Sequence, residues 1–144
     1  MKIIKAENHR DFEAIFPVIR ELRPNLTFHE YTDLMMNAKL RDDYDIVAVF
    51  DGPKCIAAMG YRILYDFVHG KHLYIDDLVV TESCRSKGIG AELLRYAEQV
   101  AVEKKCKGLR LCTGVDRKDS QRFYERNNWN ARAIAYKKTI SGDV

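Results

Sequence analysis

LYIDDLVVTESCRSKGIGAELLRYAEQVAVEKK, residues Leu73 to Lys105, joins three local patterns in one run. Leu73, Ile75, Leu78, Val79 and Val80 are strand formers, and the polar residues Thr81 to Lys87 end that strand. From Ile89 the spacing changes, because Ile89, Leu93, Leu94, Ala97, Val100 and Ala101 recur at helical intervals, with Glu92, Arg95, Glu98, Glu103 and Lys104 on the other side. A strand therefore feeds a helix through a basic glycine turn. Gly88 and Gly90 stand where the helix begins, where backbone N–H groups have no intrahelical acceptor and the helix dipole adds partial positive charge. Arg85 and Lys87 add full charges, so the turn suits a diphosphate better than a neutral ligand.

Two familiar phosphate-binding turns do not fit. A Walker loop needs G-x-x-x-x-G-K-[ST], which is absent. A Rossmann turn needs a third glycine where Leu93 stands, and a side chain there holds the helix off the strand. What remains, Arg85-Ser86-Lys87-Gly88-Ile89-Gly90 after an apolar strand, resembles the R-x-x-G-x-G/A signature of the GCN5-related N-acetyltransferases (GNAT). A second block supports the resemblance: Arg117-Lys118-Asp119-Ser120-Gln121-Arg122-Phe123-Tyr124-Glu125-Arg126-Asn127-Asn128-Trp129 is similar to the family's N-x-x-A-x-x-F-Y-x-x-x-G-F, at the expected separation.

Composition is that of an ordinary soluble globular protein. A chain of 144 residues is expected to form one domain over 1–144, with a core that needs no staples. The net charge of +3 is mild and spread out, apart from the turn and a basic helix end at Lys104, Lys105 and Lys107, so no nucleic-acid partner is expected. No apolar run approaches membrane-spanning length, and no targeting segment is read at Met1, so a cytoplasmic protein is expected. Cys55, Cys84, Cys106 and Cys112 form no C-x-x-C pair and the histidines show no ligand spacing; free thiols and no metal are expected, with Cys106 and Cys112 as apolar filler.

The remaining elements follow in order. Lys2 to Ala6 alternate as a strand, and Asn8 caps a helix carrying Phe12, Ile15, Phe16, Ile19 and Leu22, which Pro17 is expected to kink or split. Thr27 and Glu30 form a capping box for a second helix through Leu34, Met35, Ala38 and Leu40. Asp45 to Phe50 and Lys54 to Leu64 are strands joined at Asp51-Gly52. Asp66 to Lys71 is a turn, Gly108 to Thr113 the fifth strand, and Ala131 to Thr139 the sixth. The result is a mixed α/β fold.

The resemblance implies more than the residues alone. The family's central mixed sheet splays between its fourth and fifth strands, so the backbone of Leu78, Val79 and Val80 is expected to contact pantetheine. Arg85, Ser86, Lys87, Gly88, Ile89, Gly90 and Ala91 are expected to hold the pyrophosphate of acetyl-CoA. The family reaction is direct attack of an amine in a ternary complex; Tyr124 aligns with the tyrosine that protonates the departing thiolate, and Phe123 reads as core. Asp76 aligns with a glutamate found in polyamine acetyltransferases and is the expected proton acceptor, with Asp77, His69 and His72 as alternatives. Alternation along a strand lets only one of Asp76 and Asp77 face the substrate. Arg117 and Ser120 replace the family's asparagine and alanine, and both are expected near coenzyme A. Asn128, in place of glycine, tolerates the left-handed backbone of a helix end. The acceptor is expected to be a small-molecule amine, with Glu30, Asp33, Asp76 and Asp77 gathering round its charge. A protein amine, a catalytically silent acyl-CoA sensor and a homodimer that completes the acceptor site stay open.

Overall fold

The computed structural model describes residues 2–142. Its elements are β1 (Lys2–Lys5), α1 (His9–Leu22), α2 (Phe28–Asp42), β2 (Asp45–Asp51), β3 (Lys54–Asp66), β4 (Gly70–Val80), a 3-10 turn (Glu82–Cys84), α3 (Ile89–Glu103), β5 (Gly108–Leu111) and α4 (Lys118–Arg126). They fall into two compact units, one ending at Leu111 and one beginning at Cys112.

In the first unit, five strands lie in the order β1-β2-β3-β4-β5. The first three pairings are antiparallel and β4–β5 is parallel, as a connection through α3 requires. The expected capping devices form. Asn8 Oδ1 accepts from the Asp11 N–H, and Thr27 and Glu30 each accept the other's backbone N–H. Pro17, by contrast, does not split α1, which stays one helix from His9 to Leu22. Burial of Ile15 and Val18 on either side of it holds the helix against the sheet, and such packing outweighs a local propensity.

One core joins α1 and α2 to one sheet face: Ile15, Val18, Tyr31 and Met35 pack with Tyr44, Ile46, Ala48, Ala58 and Val79. Truncating the fully buried Ile15 or Ile46 to alanine is expected to cost about 2–5 kcal/mol. Leu73 and Ile75 are also buried, but outside that core. Val79 lies four positions after Ile75, so in a regular strand they would share a face. They do not, because β4 carries an extra residue: Gly60 pairs with Asp77 and Tyr61 with Ile75, leaving Asp76 as a bulge.

In the second unit, α4 is followed by a turn in which Asn128 has φ +69°, the left-handed conformation expected of it. The sixth strand does not form. Residues 131–139 carry no regular structure and are exposed, and the sheet ends at β5. Ala131 to Thr139 lacks the regular apolar–polar alternation of a half-buried strand, and among the described residues of the second unit the regular element is the helix α4.

Candidate active site

The turn between β4 and α3 is built as a cradle. Gly88 is the N-cap of α3 at φ +83°, and Ser86 is also left-handed at φ +64°. The first helical bond runs from the Glu92 N–H to the Gly88 carbonyl, so the N–H groups of Gly88, Ile89, Gly90 and Ala91 lie ahead of the hydrogen-bonded ladder. A side chain placed on Gly88 would meet nothing within 4 Å, which leaves that backbone open to approach. A diphosphate fits such a donor set.

Arg85 is less free than the sequence implied. Its Nε donates to the Val80 carbonyl at 3.0 Å and its guanidinium lies 3.6 Å from Glu21, while about half of its side chain stays exposed. Glu21, from α1, also accepts from the Thr81 hydroxyl at 2.6 Å and the Glu82 N–H at 3.1 Å. The last turn of α1 thus anchors the loop. Lys87 is exposed.

β5 pairs with β4 only from His72 to Ile75, opposite Gly108 to Leu111. From Asp76 to Val80 that edge of β4 has no strand partner among the described residues, while the other edge continues on β3, with Leu78, Val79 and Val80 opposite Met59, Ala58 and Ala57. The open edge leads into the α3 cradle.

The two aspartates differ sharply. Asp76 accepts two hydrogen bonds from Arg62, both at 2.8 Å, so both oxygens are engaged and its charge is balanced. Asp77 accepts from the Tyr44 hydroxyl at 2.7 Å, and burial raises its carboxyl above the usual aspartate range despite that bond. Burial and the adjacent Asp77 push the Tyr44 phenol well above its ordinary value, so it remains a donor. Sequence reading missed Tyr44; the only signal was Gly60 opposite it, since a side chain there would collide with the ring. A cavity of about 510 Å³ lies beside Tyr44 and Arg62, lined also by Lys39, Asp45, Tyr61 and Lys104, and none of the residues expected to act is on its wall.

Other expectations change. Glu30 spends its carboxylate on the Thr27 cap, and Asp33 is exposed. His72 belongs to β4 and is buried, not a turn histidine beside it. Asp66, His69 and His72 gather within 4.8 Å of one another, which the absence of familiar spacing did not foretell. All four cysteines are free, but Cys112 is exposed and Cys55 is the buried one, its thiol pushed up to about 11 by burial.

In the second unit, Tyr124 is half-buried, edge-on to Phe123 at 5.2 Å and tilted against Trp129 at 6.1 Å. Burial raises its phenol, which keeps it protonated, while Arg117 acts in the opposite sense. Arg117 caps α4 and is exposed, its stem lying over Gly114, and Ser120 is half-buried on the helix.

An antiparallel sheet with one parallel strand, its open edge leading to a helix N-terminus, defines a mixed α/β protein. The chain belongs to the acetyltransferase (GNAT) family, whose description matches residues 6–129, and it is an acyltransferase of that kind. It is 30% identical over 126 residues to the uncharacterized N-acetyltransferase YhdJ of Bacillus subtilis, covering 87% of this chain and 89% of that one. It is 23% identical to the aminoalkylphosphonate N-acetyltransferase of Salmonella typhimurium, over 90% of this chain and 86% of that one. The fold is shared with the aminoglycoside acetyltransferase AAC(6')-Iy solved with a bisubstrate analogue, at a TM-score of 0.80 and 16% identity, covering 97% of this chain and 100% of that one. No described helix is long and apolar enough to cross a membrane.

Proposed function

We propose that the chain transfers the acetyl group of acetyl-CoA to a primary amine of a small molecule, by direct attack in a ternary complex. The observation that carries this reading is the unpaired edge of β4 from Asp76 to Val80 running into the α3 N-terminus. Backbone groups of Leu78, Val79 and Val80 bind pantetheine there, and the N–H groups of residues 88–91, with Arg85, Ser86 and Lys87, hold the diphosphate. A single acetyltransferase domain over 1–144 is in keeping with a family match that runs from 6 to 129.

The proton acceptor is Asp77 rather than Asp76. A base gains strength as its conjugate acid's pKa rises, and Asp77 is the carboxylate that burial shifts upward, whereas Asp76 is neutralised by Arg62. As the amine nitrogen bonds to the acetyl carbon and the carbon–sulfur bond breaks, Asp77 takes the amine's proton and Tyr124 supplies one to the leaving sulfur. Arg117 and Ser120 stand at the family positions near coenzyme A. A small acceptor accords with relatives named for thialysine and for aminoalkylphosphonates.

The test is calorimetric titration with acetyl-CoA, then thiol release against a panel of polyamines, aminoglycosides, amino acids and aminoalkylphosphonates. Amine-dependent release supports the proposal. Binding without release on any small amine would move the acceptor to a protein, and absence of binding would overturn the cradle.

A further inference from the structure

At the β3–β4 hairpin three metal-ligating groups face one another away from the proposed acetyl-CoA cradle. Asp66 ends β3, His69 lies in the turn, and His72 is the third residue of β4. Gly70 reverses the chain at φ +63°, which folds the D-x-x-H-x-x-H run back on itself. We propose that Asp66, His69 and His72 form a binding site for a divalent transition-metal ion of the Zn²⁺ type. This inference does not depend on the acetyltransferase chemistry.

The geometry is partly prepared. His72 is 2% exposed, and its Nδ1 lies 2.9 Å from the Gly70 carbonyl. A carbonyl only accepts, so Nδ1 carries the proton and the Nε2 lone pair is left for a ligand, the arrangement that orients metal-binding histidines. Nε2 lies 4.0 Å from Asp66 Oδ2. His69 Nδ1 is 3.1 Å from each Asp66 oxygen, and Asp66 Oδ1 is itself fixed by the His69 N–H at 2.6 Å. An ion bound at about 2.0–2.2 Å spaces neighbouring ligands by roughly 3–3.5 Å. The Asp66–His69 pair already meets that spacing, and the wider gap to His72 closes by a swing of the His69 and Asp66 side chains, each about 40% exposed. Two imidazoles and one carboxylate favour zinc, nickel or copper over magnesium or calcium, and they leave coordination positions for water.

One group competes. Arg110 Nε donates to His72 Nε2 at 3.3 Å, and its guanidinium lies 3.9 Å from Asp66 Oδ2. The ion must displace that cation from the same lone pair. Arg110 already stacks over Tyr74 at 4.6 Å, which gives it a place to remain. Arg110 therefore weakens the site, and its removal should strengthen it.

The experiment uses the full chain without a histidine tag, titrated with Zn²⁺ against a chromophoric chelator, with Co²⁺ absorption as a second readout. The expected result is about one Zn²⁺ per chain and a melting temperature that rises with Zn²⁺. Asp66→Asn and His69→Ala, both at exposed positions, should each lower affinity by about tenfold or more. Arg110→Met should raise it several-fold, and Cys112→Ser should leave it unchanged. Wild-type affinity weaker than millimolar, or an affinity that Asp66→Asn and His69→Ala do not change, would overturn the site.

Discussion

Gly60→Ala tests the Tyr44–Asp77 pair directly. A Cβ at position 60 would lie 1.6 Å from the Tyr44 Oη, 2.2 Å from Cζ and 2.7 Å from Cε2, all far inside contact distance. Since β3 is held on both sides by β2 and β4, the ring rather than the strand must give way. Moving the ring strains a packed core, about 1–3 kcal/mol, and removes a hydrogen bond to a buried carboxylate, about 1.5–3 kcal/mol. Together these come to about 2.5–6 kcal/mol, read from urea unfolding as a lower midpoint at unchanged slope. Tyr44→Phe keeps the ring and loses only the bond, so it should cost about 1.5–3 kcal/mol. In a Tyr44→Ala background the collision is gone, and Gly60→Ala should then cost under about 1 kcal/mol, a coupling that a double-mutant cycle isolates. A wild-type cost below about 0.5 kcal/mol, or the same cost in both backgrounds, would refute the reasoning.

Other consequences follow from the same residues. The Tyr44 bond lowers the Asp77 pKa against the larger effect of burial, so Tyr44→Phe should move the acidic limb of the kcat/KM profile to higher pH; an unmoved limb removes Asp77 from proton transfer. Asp77's raised pKa means that the folded state holds a proton the unfolded chain has lost. Its contribution therefore falls as pH rises from about 3.8 toward the folded value, and Asp77→Asn should gain stability relative to the native chain across that window while losing turnover. Equal pH dependence of unfolding in the two proteins would contradict this. Arg85→Ala should weaken acetyl-CoA binding about tenfold or more at a stability cost of about 1 kcal/mol, since its ion pair to Glu21 is largely exposed; unchanged affinity in calorimetry would remove it from the cradle. Tyr124→Phe should lower kcat while sparing acetyl-CoA affinity, and full turnover would end its role as acid.

The parts legible in the sequence were those set by local chemistry. The strand–turn–helix from Leu73 to Glu103 and the Thr27–Glu30 cap each depend on neighbours within a few residues, and both form where expected. Illegible parts depended on distant partners. Pro17 argued for a broken helix, and burial beside it kept the helix whole. The order of elements predicts a sixth strand over Ala131 to Thr139, yet a strand needs a pairing partner that no local pattern supplies. His72 reads as flanking the strand, yet β4 begins at Gly70, three residues before its apolar run, and takes His72 in. Tyr44 carries no motif and matters only because Gly60, far along the chain, makes room for it.

Asp76 and Asp77 show most clearly what a period-two reading of a strand leaves out. Regular alternation sets neighbouring side chains on opposite faces, which lets only one of the pair face the substrate, and the resemblance to the family's glutamate position makes Asp76 the choice. The bulge at Asp76 breaks that alternation. It turns Val79 toward the α1–α2 core although Ile75 lies outside it, and it aims Asp77 at Tyr44. The same residue marks the point where β4 parts from β5. One inserted residue therefore lies where the β4 edge becomes unpaired and beside the carboxylate that burial shifts. Arg62 neutralises the other carboxylate, so the two adjacent aspartates do not both carry uncompensated charge. Deleting Asp76 would remove the bulge while leaving Ile75 opposite Tyr61 and Asp77 opposite Gly60, so that Asp77 and Val79 would keep their facing in a regular strand. Both that deletion and Asp76→Ala lose the Arg62 pair, so a deletion that still folds and still shows the raised Asp77 pKa would establish that Asp76 is the extra residue, whereas complete loss of folding would refute the register.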